Sequence, residues 1–186
     1  TFWNALQGGQ FANATSLRDD GVTPSGISIY ATNYPGSWYV PNALSPLTKL
    51  LDPYVNTQTA FVITNLPNGT YNLAVFGMSG LYLNGSRGTA FTVNGVTKSN
   101  VFQQDWMFAP NDNTALFTNV QVTQGWLLLE ETPIGMNGVD PNTEPDFNGV
   151  QVQAVSLAPV TVTSSYSSGT LTLSWANYGT LLSATN

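Results

Sequence analysis

The stretch ISIYATNYPGSWYVPN, residues 27–42, holds the densest run of aromatic side chains in the protein. If Ile27 and Ile29 face a core, the two-residue period of a strand turns Tyr30 outward, and the Pro- and Gly-containing loop that follows presents Tyr34, Trp38 and Tyr39. A flat ring beside amides or carboxylates suits a sugar, whose ring has an apolar C–H face and a hydroxyl edge. The plainer alternative is that Trp38 and Tyr39 plug one end of the fold. A second group, FQQDWMFAPNDN, sets Gln103, Gln104 and Asp105 against the indole of Trp106 ahead of a polar loop. It offers another saccharide platform, unless Trp106 and Phe108 belong to the core at a strand end.

Carboxylates form the third set. In MNGVDPNTEPDFNGVQV, Asp140, Glu144 and Asp146 crowd a Pro-containing loop just ahead of a strand. Such oxygen ligands suit calcium, which takes about 6–8 of them. The spacing is not that of an EF-hand, and a solvated acidic loop is the other reading. Glycoside hydrolysis would need two carboxyl groups about 5–5.5 Å or about 6.5–9.5 Å apart across a cleft. Glu130 and Glu131 are neighbours on a strand end and so point to opposite faces. Either of them can pair only with a distant carboxylate, such as Asp105, Glu144 or Asp146.

Composition removes many other chemistries. Cysteine and histidine are both absent, which excludes disulfides, thiol and Ser-His nucleophiles, and Cys- or His-ligated metals. Only 8% of the 186 residues are charged, and the net charge is −6. The cations are Arg18, Lys49, Arg87 and Lys98, too few to neutralise a nucleic acid backbone or an anionic membrane surface. No segment approaches the roughly 20 apolar residues of a membrane span, and no basic-then-apolar leader follows Thr1. The sequence thus reads as a soluble chain, either a mature form or a piece of a longer one. Low charge with abundant Thr and Asn points to secretion.

The elements that must position these residues are mostly strands. In FVITNLPNGTYNLAVFG, residues 61–77, Tyr71, Leu73 and Val75 alternate with Thr70, Asn72 and Ala74, and Pro67-Asn68-Gly69 supplies a turn. The reading is a hairpin. Further strands are expected in TAFTVNG, TKSNVF, ALFTNVQVT, GWLLLE and NGVQVQAVSL. Short strands without intervening helices make the fold class all-β, an antiparallel β-sandwich. One short helix is expected in LSPLTKLLDPYV, with Ser45 as cap, Pro46 at the first position, Leu47, Leu50, Leu51 and Tyr54 at helical spacing, and Pro53 limiting the run. After Pro159 the chain gives a strand, a polar turn and the strand LTLSW, too little for a core of its own.

The segments ITNLPNGTYNLAVFG, FTVNG and FNGVQVQAVSL, with the opening FWNALQ and SLRDDGVTPSGISI, together resemble the galactose-binding-like, malectin-like jelly-roll modules of secreted bacterial proteins. The resemblance covers residues 1–158; the tail from 159 to 186 looks like an added hairpin or the start of a following Ig-like module. It implies a jelly roll that binds a plant or microbial polysaccharide without catalysis, as part of a larger multidomain chain. Surface aromatics would form the site: Tyr30, Tyr34 and Trp38, or Trp106 with Asp105. Two other classes stay open. One is a small β-sandwich glycoside hydrolase using paired carboxylates; the other is an adhesion or spacer module without a small ligand.

Overall fold

The computed structural model describes residues 14–17, 22–32, 38–39, 53–54, 59–77, 88–99, 114–134, 145–159 and 161–175. Among them every regular element is a strand: β1 (Ala14–Leu17), β2 (Pro24–Ala31), β3 (Trp38–Tyr39), β4 (Pro53–Tyr54), β5 (Ala60–Thr64), β6 (Gly69–Phe76) and β7 (Gly88–Val93). There follow β8 (Val96–Ser99), β9 (Thr114–Val122), β10 (Trp126–Ile134), β11 (Gly149–Leu157), β12 (Val162–Ser167) and β13 (Thr170–Trp175). No described helix is long and apolar enough to cross a membrane.

The strands form a six-stranded sheet in the order β1-β2-β5-β10-β7-β8 and a three-stranded sheet in the order β11-β6-β9. Every pairing in both is antiparallel. Alternation supplies the core. Ile29, Phe61, Ile63, Phe91, Val93, Leu127 and Leu129 face inward from the first sheet, and Tyr71, Leu73, Val75, Ala115, Phe117, Val120 and Val122 from the second. Phe147 stacks on Phe61, with ring centroids 4.0 Å apart, and meets Phe91 edge-on at 6.4 Å. Truncating a ring held in this way typically costs about 3–5 kcal/mol. From β5 onward the chain changes sheets at β6, β7, β9, β10 and β11 in turn. That repeated crossing between two packed sheets is the connectivity of a jelly roll, as expected.

One local expectation fails. Residues 61–77 do form two strands, but β5 and β6 lie in different sheets, so the segment is an arch over one end of the sandwich and not a hairpin. Leu66 explains why: it is fully buried, and its amide donates to the Gly125 carbonyl at 3.0 Å. The Asn68 Oδ1 accepts the Gly125 amide at 3.0 Å, and the Tyr71 hydroxyl donates to the Pro67 carbonyl at 2.6 Å. The turn residues therefore bond outward to the β9–β10 connection instead of closing a ladder. A true hairpin joins β7 to β8, where Asn94 (φ 49°) and Gly95 (φ 77°) both take the left-handed conformation of a two-residue turn. On the exposed strand β8, Lys98 reaches across to the Leu116 carbonyl of the other sheet, its ammonium 5.6 Å from the Phe117 ring centre.

The expected helix reaches into the described residues only at its end, and there it is corrected. Pro53 and Tyr54 form β4, paired with β3 through Trp38↔Tyr54 and Tyr39↔Pro53. A proline brings no amide to a helix and disfavours helical geometry in the residue before it. Residues 45–52 lie outside the described residues. Beyond β11, strands β12 and β13 form a two-stranded sheet of their own.

Candidate functional site

The outer face of the six-stranded sheet is built by the residues between the core positions. Ile29 is buried, so its neighbour Tyr30 lies on the outer side, half-buried and paired with Val62. Val62 pairs in turn with Leu128 of β10. Two residues before Leu128, Trp126 stands 45% exposed, turned outward because Leu127 and Leu129 turn in. With about 4.8 Å between strands and about 3.3 Å per residue, Tyr30 and Trp126 sit roughly 12 Å apart on one face. The face thus carries two aromatic rings separated by the aliphatic side chains of Val62 and Leu128.

In the other direction along β10 the face turns polar. Glu130 is exposed and pairs with Ala60 on one side and Thr92 on the other. β5 begins at Ala60 while β10 runs on to Ile134, which leaves a notch in the sheet. The notch holds about 410 Å³ and is lined by Thr32, Thr59, Thr92 and Thr132 with Ala60, Glu130 and Glu131. Six of these seven residues carry a hydroxyl or a carboxyl group, so the space suits a ligand rich in hydroxyls better than an apolar one. The hydroxyls are held in place: Thr32 Oγ1 accepts the Ala60 amide at 3.3 Å, and Thr92 and Thr97 share a bond of 2.8 Å.

Beneath the notch is a buried carboxyl pair. Glu131 faces inward, 1% exposed, with Asp146 beside it at 3%. The Thr89 hydroxyl clamps the Asp146 backbone, accepting its amide at 2.7 Å and donating to its carbonyl at 3.1 Å. Neither carboxyl oxygen of Glu131 has a hydrogen-bond partner. Burial, and then the charge of Asp146, push the Glu131 carboxyl up to about 9, against a smaller lowering effect of the Thr59 backbone. At neutral pH Glu131 therefore holds a proton. Both carboxyl groups are buried, whereas glycoside hydrolysis uses a pair set across a cleft.

Of the residues singled out from sequence, Tyr30 takes its expected outward place on a strand. Trp38 lies in β3 as backbone, next to β4. Asp146 is buried rather than part of a solvated acidic loop. Tyr34, Asp105, Trp106, Asp140 and Glu144 lie outside the described residues. Glu130 and Glu131 point to opposite faces, as alternation requires. Sequence reasoning missed Trp126, although the signal was present: in GWLLLE the inward Leu127 and Leu129 force the indole out. Asp146 is among the carboxylates that the sequence offers as a partner for Glu131, but no local pattern could choose it, since the two residues are 15 positions apart.

No protein-family model matches the chain, and no curated protein does. Among solved structures it is similar to TmCBM61 in complex with β-1,4-galactotriose, at 13% identity over 70% of this chain and 89% of that one, TM-score 0.38. It is similar also to a family 35 carbohydrate-binding module from Clostridium thermocellum, at 22% identity over 70% and 93% of the two chains, TM-score 0.36. A third likeness is to CBM35 from Paenibacillus barcinonensis, at 18% identity over 68% and 98%, TM-score 0.34. Similarity at this level assigns neither a site nor a ligand.

Proposed function

We propose that the protein is a non-catalytic carbohydrate-binding module that holds a polysaccharide against the outer face of its six-stranded sheet. The observation that carries this reading is the continuity of Trp126, Leu128 and Tyr30 with the hydroxyl-lined notch at Thr32, Glu130 and Thr92. Sugar rings stack on the first group and exchange hydrogen bonds with the second. Secretion, and a place within a larger chain, are parts of the same proposal; low charge with abundant Thr and Asn supports an extracellular role.

The test is affinity electrophoresis and titration calorimetry on a panel of galactans, glucans, xylans and mannans. Trp126→Ala and Tyr30→Ala should each weaken binding by about 1–3 kcal/mol, roughly tenfold or more, without a comparable loss of stability. Unchanged affinity in both variants would remove the sheet face from the site.

We also propose a structural calcium ion at Asp146, with Asp140 and Glu144 as further ligands. The carboxyl of Glu131 supports a cation there, since it is buried beside Asp146 and lacks hydrogen-bond partners. Oxygen donors of this type fit calcium.

A further inference from the structure

Resting on the saccharide reading, we infer that the notch selects neutral sugars and rejects uronic acids, and that Glu130 is the residue that decides between them. Glu130 is exposed at the notch, flanked across the ladder by Ala60 and Thr92. Its two oxygens only accept, so they suit two adjacent sugar hydroxyls donating side by side. Such charge-assisted bonds are about twice as strong as neutral ones. The threonines complete the recognition. Thr32 Oγ1 already accepts the Ala60 amide, which leaves its O–H to donate to a sugar oxygen, and Thr132 is exposed beside it.

A carboxylate on the ligand meets the opposite situation. It would enter a notch bordered by the exposed carboxylate of Glu130, in a protein of net charge −6. Like charges placed together are a strong means of rejecting a wrong partner. Among the described residues the one cationic side chain that could pair with a uronate is Lys98. It pairs with Phe91, on the side of β7 away from Thr92, and bonds to Leu116 of the other sheet. Among the described residues, the charges around the notch therefore favour a hydroxyl ligand over an anionic one.

The experiment is titration calorimetry of the full chain with neutral galactose, glucose, xylose and mannose oligosaccharides and with their galacturonic and glucuronic acid counterparts. The expected result is binding of at least one neutral oligosaccharide and at least tenfold weaker binding of the matching uronate. Glu130→Gln, an exposed and nearly isosteric change, should weaken the neutral ligand roughly tenfold and narrow its advantage over the uronate. Uronates that bind as tightly as neutral sugars, or a Glu130→Gln protein with unchanged preference, overturn the inference. Dependence on Trp126 separates the two levels: neutral binding lost in Trp126→Ala but indifferent to Glu130 sinks the selectivity and keeps the binding face. No binding across the whole panel sinks both. So does concentration-dependent dimerisation that Trp126→Ala abolishes, since a second copy would then be the occupant of this face.

Discussion

Glu131 is a carboxyl group that the fold keeps protonated, and this ties stability to pH in a defined direction. Its ordinary value of 4.5 applies to the unfolded chain, whereas in the folded protein it rises to about 9. Between those limits the folded protein binds more protons at this site than the unfolded chain, so stability falls as pH rises. The contribution is fully present below the lower limit and lost through the upper one. In chelator-treated protein the urea midpoint should therefore drop between about pH 5 and about pH 8, and Glu131→Gln should flatten that slope. Equal slopes for both proteins would show that Glu131 does not titrate in this way. Added calcium at the higher pH should restore the midpoint of the wild type and leave Glu131→Gln and Asp146→Asn little changed, because a ligand stabilises only the state that binds it. An unchanged wild-type midpoint would withdraw the ion.

At the scale of elements, the arch from β5 to β6 shows what a local pattern leaves undetermined. The alternation of Tyr71, Leu73 and Val75 marked β6 correctly as a strand with one buried face. Alternation says which side is buried, but not which strand lies alongside. Leu66 and Asn68 decide that, through contacts with Gly125 nearly 60 residues on. Gly69 belongs to the same junction for a reason invisible in sequence: a Cβ there would run into the Ser156 carbonyl of β11. Gly69 pairs with both Val122 and Leu157, at the end of the middle strand of its sheet. Gly69→Ala must push β11 away or distort the arch, and overpacking of this kind costs about 1–3 kcal/mol. Chemical denaturation measures it; a loss under about 0.5 kcal/mol would mean that the junction yields freely. Tyr30 and Trp126 differ from these cases. Their outward direction followed from neighbouring apolar residues, while their presence on one face depended on β5 lying between β2 and β10.

For the molecule as a whole, the question is where the sandwich ends. β11 is integral to it: it pairs with β6 from Gly149 to Leu157, and Val150 and Val152 pack against the core. β12 and β13 pair only with each other, and Val162, Tyr166 and Leu171 are 56%, 74% and 61% exposed. A two-stranded hairpin with so little buried surface is marginal in water by itself and adds little to what it adjoins. The sequence places the end of the unit at 158, and truncation there tests it. A chain ending at Pro159 should therefore keep the melting temperature and denaturant midpoint of the full protein, with a difference of no more than about 0.5 kcal/mol, and bind the same saccharide. The outer sheet face lies on β2, β5, β7 and β10, all of which that shorter chain retains. A loss of several kcal/mol on truncation would instead make the hairpin part of the fold, its exposed Tyr166 and Leu171 notwithstanding.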